Sequence, residues 1–99
     1  MPRITIQTAE AMRAAQGLLA RDEALAQVVD LLDPTGNRSA WAVAGDIQNA
    51  RLRLARALPR IVAGARDPSP LEAALMVAEQ AGLPESRRRV WDLITELLG

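Results

Sequence analysis

Apolar residues recur at three- and four-residue intervals along most of this chain, and polar residues fill the positions between them. That period is helical, with one side of each helix turned inward. The opening "RITIQ" alternates instead, so residues 1–7 are expected to be extended. Thr8 is placed to cap a first helix carrying Met12, Ala15, Leu18 or Leu19, Leu25, Val28, Val29 and Leu32. Gly17 and the polar "RDE" interrupt the stripe, and Asp22 is itself a capping residue. A kink or break near residues 20–22 is therefore expected. "DPTGN" at 33–37 is turn chemistry.

Ser39 caps the next helix, with Val43 or Ala44, Ile47, Ala50, Leu54, Leu58 and Ile61 inward. An alternative division is a short helix at 39–44 with Asp46 capping a second. Pro59 lacks an N–H, so a bend is expected there, fraying through Gly64. Further on, Ser69, Pro70 and Glu72 spell a capping box with proline at the first helical position. Gly82 ends that helix in the left-handed conformation. Pro84 is expected to open the last helix. Its stripe is Val90, Trp91, Ile94, Leu97 and Leu98, with Arg87 and Arg88 left at the surface.

The pattern predicts an all-α protein: a single compact bundle of about five helices, four to six, over residues 1–99. Composition agrees. Hydrophobic residues make up 49% of the 99 and charged residues 24%, proportions of a folded globule. Trp41 and Trp91 are the whole aromatic complement, so the core must be aliphatic and rich in alanine. Tryptophan is usually well covered, so Trp41 is expected to pack in the core. The end just after an apolar helix suggests a domain cut from a longer chain.

Histidine, cysteine and tyrosine are absent. The commonest general base, the thiolate and the phenol are therefore unavailable, which points away from catalysis and from thiol or imidazole metal sites. Asp22-Glu23 and Asp30-Asp33 lack a glycine-centred calcium loop and read as a solvated helix face. No cofactor is expected. No signal peptide or membrane-length apolar run is present, so a cytoplasmic protein is expected. All twelve basic residues are arginine, as GC-rich codon usage gives, and a bacterial origin fits.

Charge is balanced overall, with an isoelectric point near 6.2, but unevenly distributed. Residues 46–66 hold five arginines against Asp46, a net of +4, and Arg53, Arg56 and Arg60 fall on one helical face. Residues 22–46 hold Arg38 against Asp22, Glu23, Asp30, Asp33 and Asp46, a net of −4. Two such faces suit a head-to-tail contact between copies, or recruitment of a protein partner. The expected partner-binding residues are Arg53, Arg56 and Arg60 with Asp22, Glu23, Asp30 and Asp33.

Ala78, Gly82, Leu83, Pro84 and Ser86 resemble the helix-turn-helix of winged-helix transcription regulators. The resemblance covers about 30 residues, at 70–98. It implies that the helix after Pro84 enters a DNA groove, with Ser86 on a phosphate and Arg87, Arg88 and Arg89 near phosphates or guanine edges. The apolar phase points elsewhere. Positions six, nine, ten and thirteen after the glycine are Arg88, Trp91, Asp92 and Thr95, and Trp91 alone is apolar. In size, helix content and opposed charges the chain is also similar to death-fold assembly domains, including caspase-recruitment-like modules.

The function expected from sequence is that of a non-enzymatic interaction module or adaptor, self-associating or recruiting a protein partner. A small DNA-binding regulator using residues 70–98 stands second.

Overall fold

Serine caps and left-handed glycines set the helix boundaries. Ser39 Oγ accepts from the Ala42 N–H at 3.1 Å and starts α2 (Ala40–Val62). Ser69 Oγ accepts from the Glu72 N–H at 3.1 Å while Glu72 Oε1 accepts from the Ser69 N–H at 2.9 Å. This reciprocal box starts α3 (Pro70–Gln80) with Pro70 at its first turn. Gly64 (φ 75°) and Gly82 (φ 96°) end α2 and α3 in the same way. Ala65 N–H returns to Arg60 O and Leu83 N–H to Ala78 O, while the glycine N–H groups return to Ile61 O and Glu79 O. Both are Schellman motifs, which favour glycine at the turning residue.

The computed structural model describes residues 6–98, with side chains from residue 15 onward. Its elements are α1 (Ile6–Leu32), α2, α3 and α4 (Arg87–Leu98), and no strand occurs among the described residues. The chain is all-α, as expected.

Three boundaries differ from expectation. Ile6, Gln7 and Thr8 are already helical, and the rest of the expected extended segment lies outside the described residues, as does the inward placement of Met12. α1 continues unbroken through residues 20–22. Asp22 pairs sideways with Arg21, at 2.9 Å, and caps nothing. Gly17 costs only about 1 kcal/mol in a helix, which the strong helix formers around it absorb. α2, by contrast, is the one helix that its Ser39 cap and stripe predicted, running past Pro59 to Val62, and the alternative division at Asp46 does not occur. The Ala63 N–H returns to Pro59 O, and the Gly64 motif closes the last turn. Finally, Pro84 and Glu85 lie in the loop, and Ser86 starts α4: its Oγ accepts from the Arg89 N–H at 3.2 Å.

α1 packs along α3 and α2 along α4, with smaller contacts of α1 with α4 and of α2 with α1 and α3. A single core joins Leu25 and Val28 of α1, Val43, Ala44, Ile47, Ala50 and Leu54 of α2, Ala74, Leu75 and Ala78 of α3, and Val90 and Ile94 of α4. Alanine at half of the α2 and α3 positions lets the axes approach closely.

The bundle is flatter and more open than the compact form expected. Its extents are 47 × 37 × 22 Å and its radius of gyration 15.6 Å, against about 13 Å for a compact chain of this length. α1 spans about 40 Å, longer than the layer beneath it. Its first described side chains, Ala15 to Ala20, bury little, and Leu18 and Leu19 are exposed where the stripe predicted burial. Leu58 on α2 and Leu97 on α4 also lie at the surface. None of the described helices is long and apolar enough to cross a membrane.

Candidate functional site

The α2 surface facing away from the core carries the expected basic residues. Arg53, Arg56 and Arg60, spaced three and four apart, line one shallow cleft with Ala57 and with Arg66 from the following loop. All three are exposed, and none forms an ion pair among the described residues. Arg66 differs. Its guanidinium makes a two-pronged contact with Glu72, both arms at 2.8 Å. That contact and the Ser69 N–H bond hold the Glu72 carboxyl down to about 2, and the Glu72 carboxylate in turn pushes the Arg66 guanidinium up. Arg66 therefore serves the α3 cap, and Arg53, Arg56 and Arg60 supply the unneutralised charge.

The acidic residues expected to answer them are partly engaged within the molecule. Asp33 is 8% exposed, and its carboxylate accepts from the Asn37 and Arg38 N–H groups, each at 3.1 Å. It closes the α1–α2 turn with both carboxylate oxygens engaged, and is not the free surface carboxylate expected of a docking residue. Asp22 is held by Arg21, and Asp46 by Arg38 at 2.8 Å. Glu23 and Asp30 remain exposed and without an ion pair among the described residues. The charge separation is present in the sequence, but folding spends its acidic half locally.

The residues expected to read DNA sit together at the start of α4 but make different contacts. Ser86 is the α4 cap. Arg87 turns back onto α2: Nη2 and Nε donate to Trp41 O at 2.7 and 3.2 Å, and the guanidinium lies 4.0 Å from the Trp41 ring centroid. It occupies the space above Gly45, where an added Cβ would fall 2.8 Å from Cζ. The surface position expected of Arg87 is thus replaced by an interhelical clamp. Arg88 and Arg89 stay exposed, with Arg88 3.7 Å from Asp92. Moreover, the helices flanking Gly82 do not approach each other within 8 Å between Cα atoms, because α3 lies on α1 and α4 on α2.

Arg51 was not distinguished in sequence from the other α2 arginines. It is the polar latch of the corner. Its Nη1 donates to Pro84 O at 2.6 Å and to Gln48 Oε1 at 2.9 Å, its Nη2 reaches Leu83 O at 3.4 Å, and Nε meets Glu79 at 2.5 Å. Gln48 Nε2 adds a bond to Glu85 O at 2.6 Å. Arg51 sits three positions before Leu54 and one after Ala50, both buried, and that flank of the stripe was the available signal.

The tryptophans also depart from expectation. Trp41 is 45% exposed where core packing was expected, and Trp91 is half-buried. They meet edge to face, with centroids 6.4 Å apart and planes at 79°, and line an open cleft with Arg88. Trp41 falls one helical turn before the buried stripe of α2, and only the position of α4 decides what covers it.

Fold and surface define a small all-α protein with an arginine face on α2 and an aromatic cleft between α2 and α4. No family model, curated protein or solved structure matches this chain.

Proposed function

We propose that this chain is a non-enzymatic interaction module that recruits a protein through an acidic segment bound on the arginine face of α2. The observation that carries the reading is the shared cleft of Arg53, Arg56 and Arg60, three guanidiniums with no carboxylate partner among the described residues. Guanidinium groups bind carboxylates through paired hydrogen bonds. Recruitment of another protein is favoured over head-to-tail self-association because Asp22, Asp33 and Asp46 are already engaged within the molecule. A protein partner is favoured over DNA because Ser86 and Arg87 hold the α4 corner, while α3 and α4 lack the mutual packing of a helix-turn-helix.

Polyglutamate and random duplex DNA are the probes. Polyglutamate should bind, weaken as salt rises, and be lost in Arg53→Glu/Arg56→Glu with the melting temperature unchanged. Tighter binding of duplex DNA that Arg87→Ala/Arg89→Ala removes would overturn this reading in favour of a nucleic-acid module.

A further inference from the structure

Trp41 and Trp91 are the chain's only aromatic residues, yet neither is buried. One comes from α2 and the other from α4, and they meet at the surface in a cleft completed by Arg88. Aromatic and arginine side chains grouped around a recess are the composition of an interface anchor. Among the described residues, the only cations over the two rings are the guanidiniums of Arg87 and Arg88. Neither indole N–H donates a hydrogen bond among the described residues.

The rim is positive. Arg88 is 75% exposed on its side chain, 5.4 Å from the Trp91 centroid and 3.7 Å from Asp92. Arg87 lies over the Trp41 ring and hydrogen-bonds only a carbonyl. Asp92 is thus the one carboxylate paired with these two arginines among the described residues.

We propose that the Trp41–Trp91 cleft docks an acidic peptide segment. An aliphatic side chain of the peptide sits against the two indoles, and a flanking carboxylate bonds Arg88. Charge complementarity selects the acidic flanks, and the apolar recess selects the anchor. A peptide fits better than single-stranded nucleic acid. Arg87 already lies over Trp41 and Arg88 approaches Trp91, while the rings meet edge to face, an arrangement poor for stacking successive bases. Zero net charge also denies the molecule the long-range basic field common in nucleic-acid binders. The site is separate from the α2 arginine face and does not rest on the function proposed for it.

Because both tryptophans line the cleft, all intrinsic tryptophan fluorescence reports from it. The test is a fluorescence titration of the full chain with a hexapeptide of alternating leucine and glutamate. Alternating leucine–lysine and glycine–glutamate peptides and oligothymidylate serve as comparisons. The leucine–glutamate peptide should give a saturable emission shift. Trp41→Ala, read through Trp91, and Arg88→Ala should each weaken binding by about tenfold or more. Arg53→Ala/Arg56→Ala should bind as the unaltered chain does, which separates this site from the α2 face. Equal binding of the glycine–glutamate peptide, tighter binding of oligothymidylate, or no saturable shift would overturn the proposal. Should Trp41→Ala lose its helical circular dichroism, the exposed Arg88→Ala variant decides the matter alone.

Discussion

Two glycines inside helices behave oppositely because of what stands above them. Gly17 has no atom within 4 Å of an added Cβ, whereas Gly45 has the Arg87 guanidinium at 2.8 Å. Alanine stabilises an open helix interior by about 1 kcal/mol relative to glycine. Gly17→Ala should show that gain in urea denaturation. Gly45→Ala should not, because the guanidinium must leave Trp41 O and its ring. The decisive comparison is a double-mutant cycle. In an Arg87→Ala background Gly45→Ala should recover the gain of about 1 kcal/mol. Equal gains from Gly45→Ala with and without Arg87 would show that the clamp is absent in solution. The Arg87 position was not legible in sequence, since its expected surface placement followed from the α4 stripe alone. Gly45 was not marked either, because a missing Cβ carries no hint of which side chain fills its place.

At the level of elements, the start of α3 is the best-determined feature of the chain. Ser69, Pro70 and Glu72 are within four residues of one another, so capping is settled locally, and Ser69→Ala should cost about 1 kcal/mol. Arg66 adds a pH dependence. The folded Glu72 carboxyl is lowered from 4.5 to about 2, first by the Arg66 hydrogen bond and then by the Ser69 N–H. A depressed carboxylate contributes stability that is complete above about 4.5 and disappears as the pH falls through about 2. Carboxyl NMR should find Glu72 titrating well below 4.5 and moving back up in Arg66→Ala. An unmoved Glu72 in that variant would remove Arg66 from the cap.

The corner after α3 needs a partner from another element, and a second comparison tests it. Arg51→Ala removes the bonds to Leu83 O and Pro84 O and leaves Glu79 unpaired. It should destabilise by about 2 kcal/mol, the scale of charged hydrogen bonds in partly covered sites. Arg53→Ala, two residues along α2 and exposed, should change stability by less than about 0.5 kcal/mol. Comparable losses from the two would mean that the latch does not hold the corner.

For the molecule as a whole, charge layout and oligomeric state are linked. A head-to-tail assembly needs an acidic surface, and folding leaves Glu23 and Asp30 exposed while engaging Asp22, Asp33 and Asp46. Light scattering at low salt should therefore return the 10.7 kDa monomer mass. Dimers or larger species that dissolve as salt rises would restore the self-assembling form of the interaction module.

The amino-acid order by itself determined the helical class, the caps at Ser39 and Ser69, the glycine end of α3 and most of the buried stripe of α2. Each of these is settled by residues within one or two turns, through hydrogen bonds to nearby backbone or through the 3.6-residue period. Tertiary structure alone decided the rest. Sequence showed that Arg51, Arg53, Arg56 and Arg60 share a helix; only the path of residues 83–85 made Arg51 a latch and left the others outward. Likewise α1 is continuous and reaches beyond the layer it covers, which leaves Leu18 and Leu19 exposed although their spacing fits a buried stripe. A periodic pattern identifies the apolar side of a helix. Whether that side is covered depends on the length and placement of another helix, a long-range contact that local residue order does not specify.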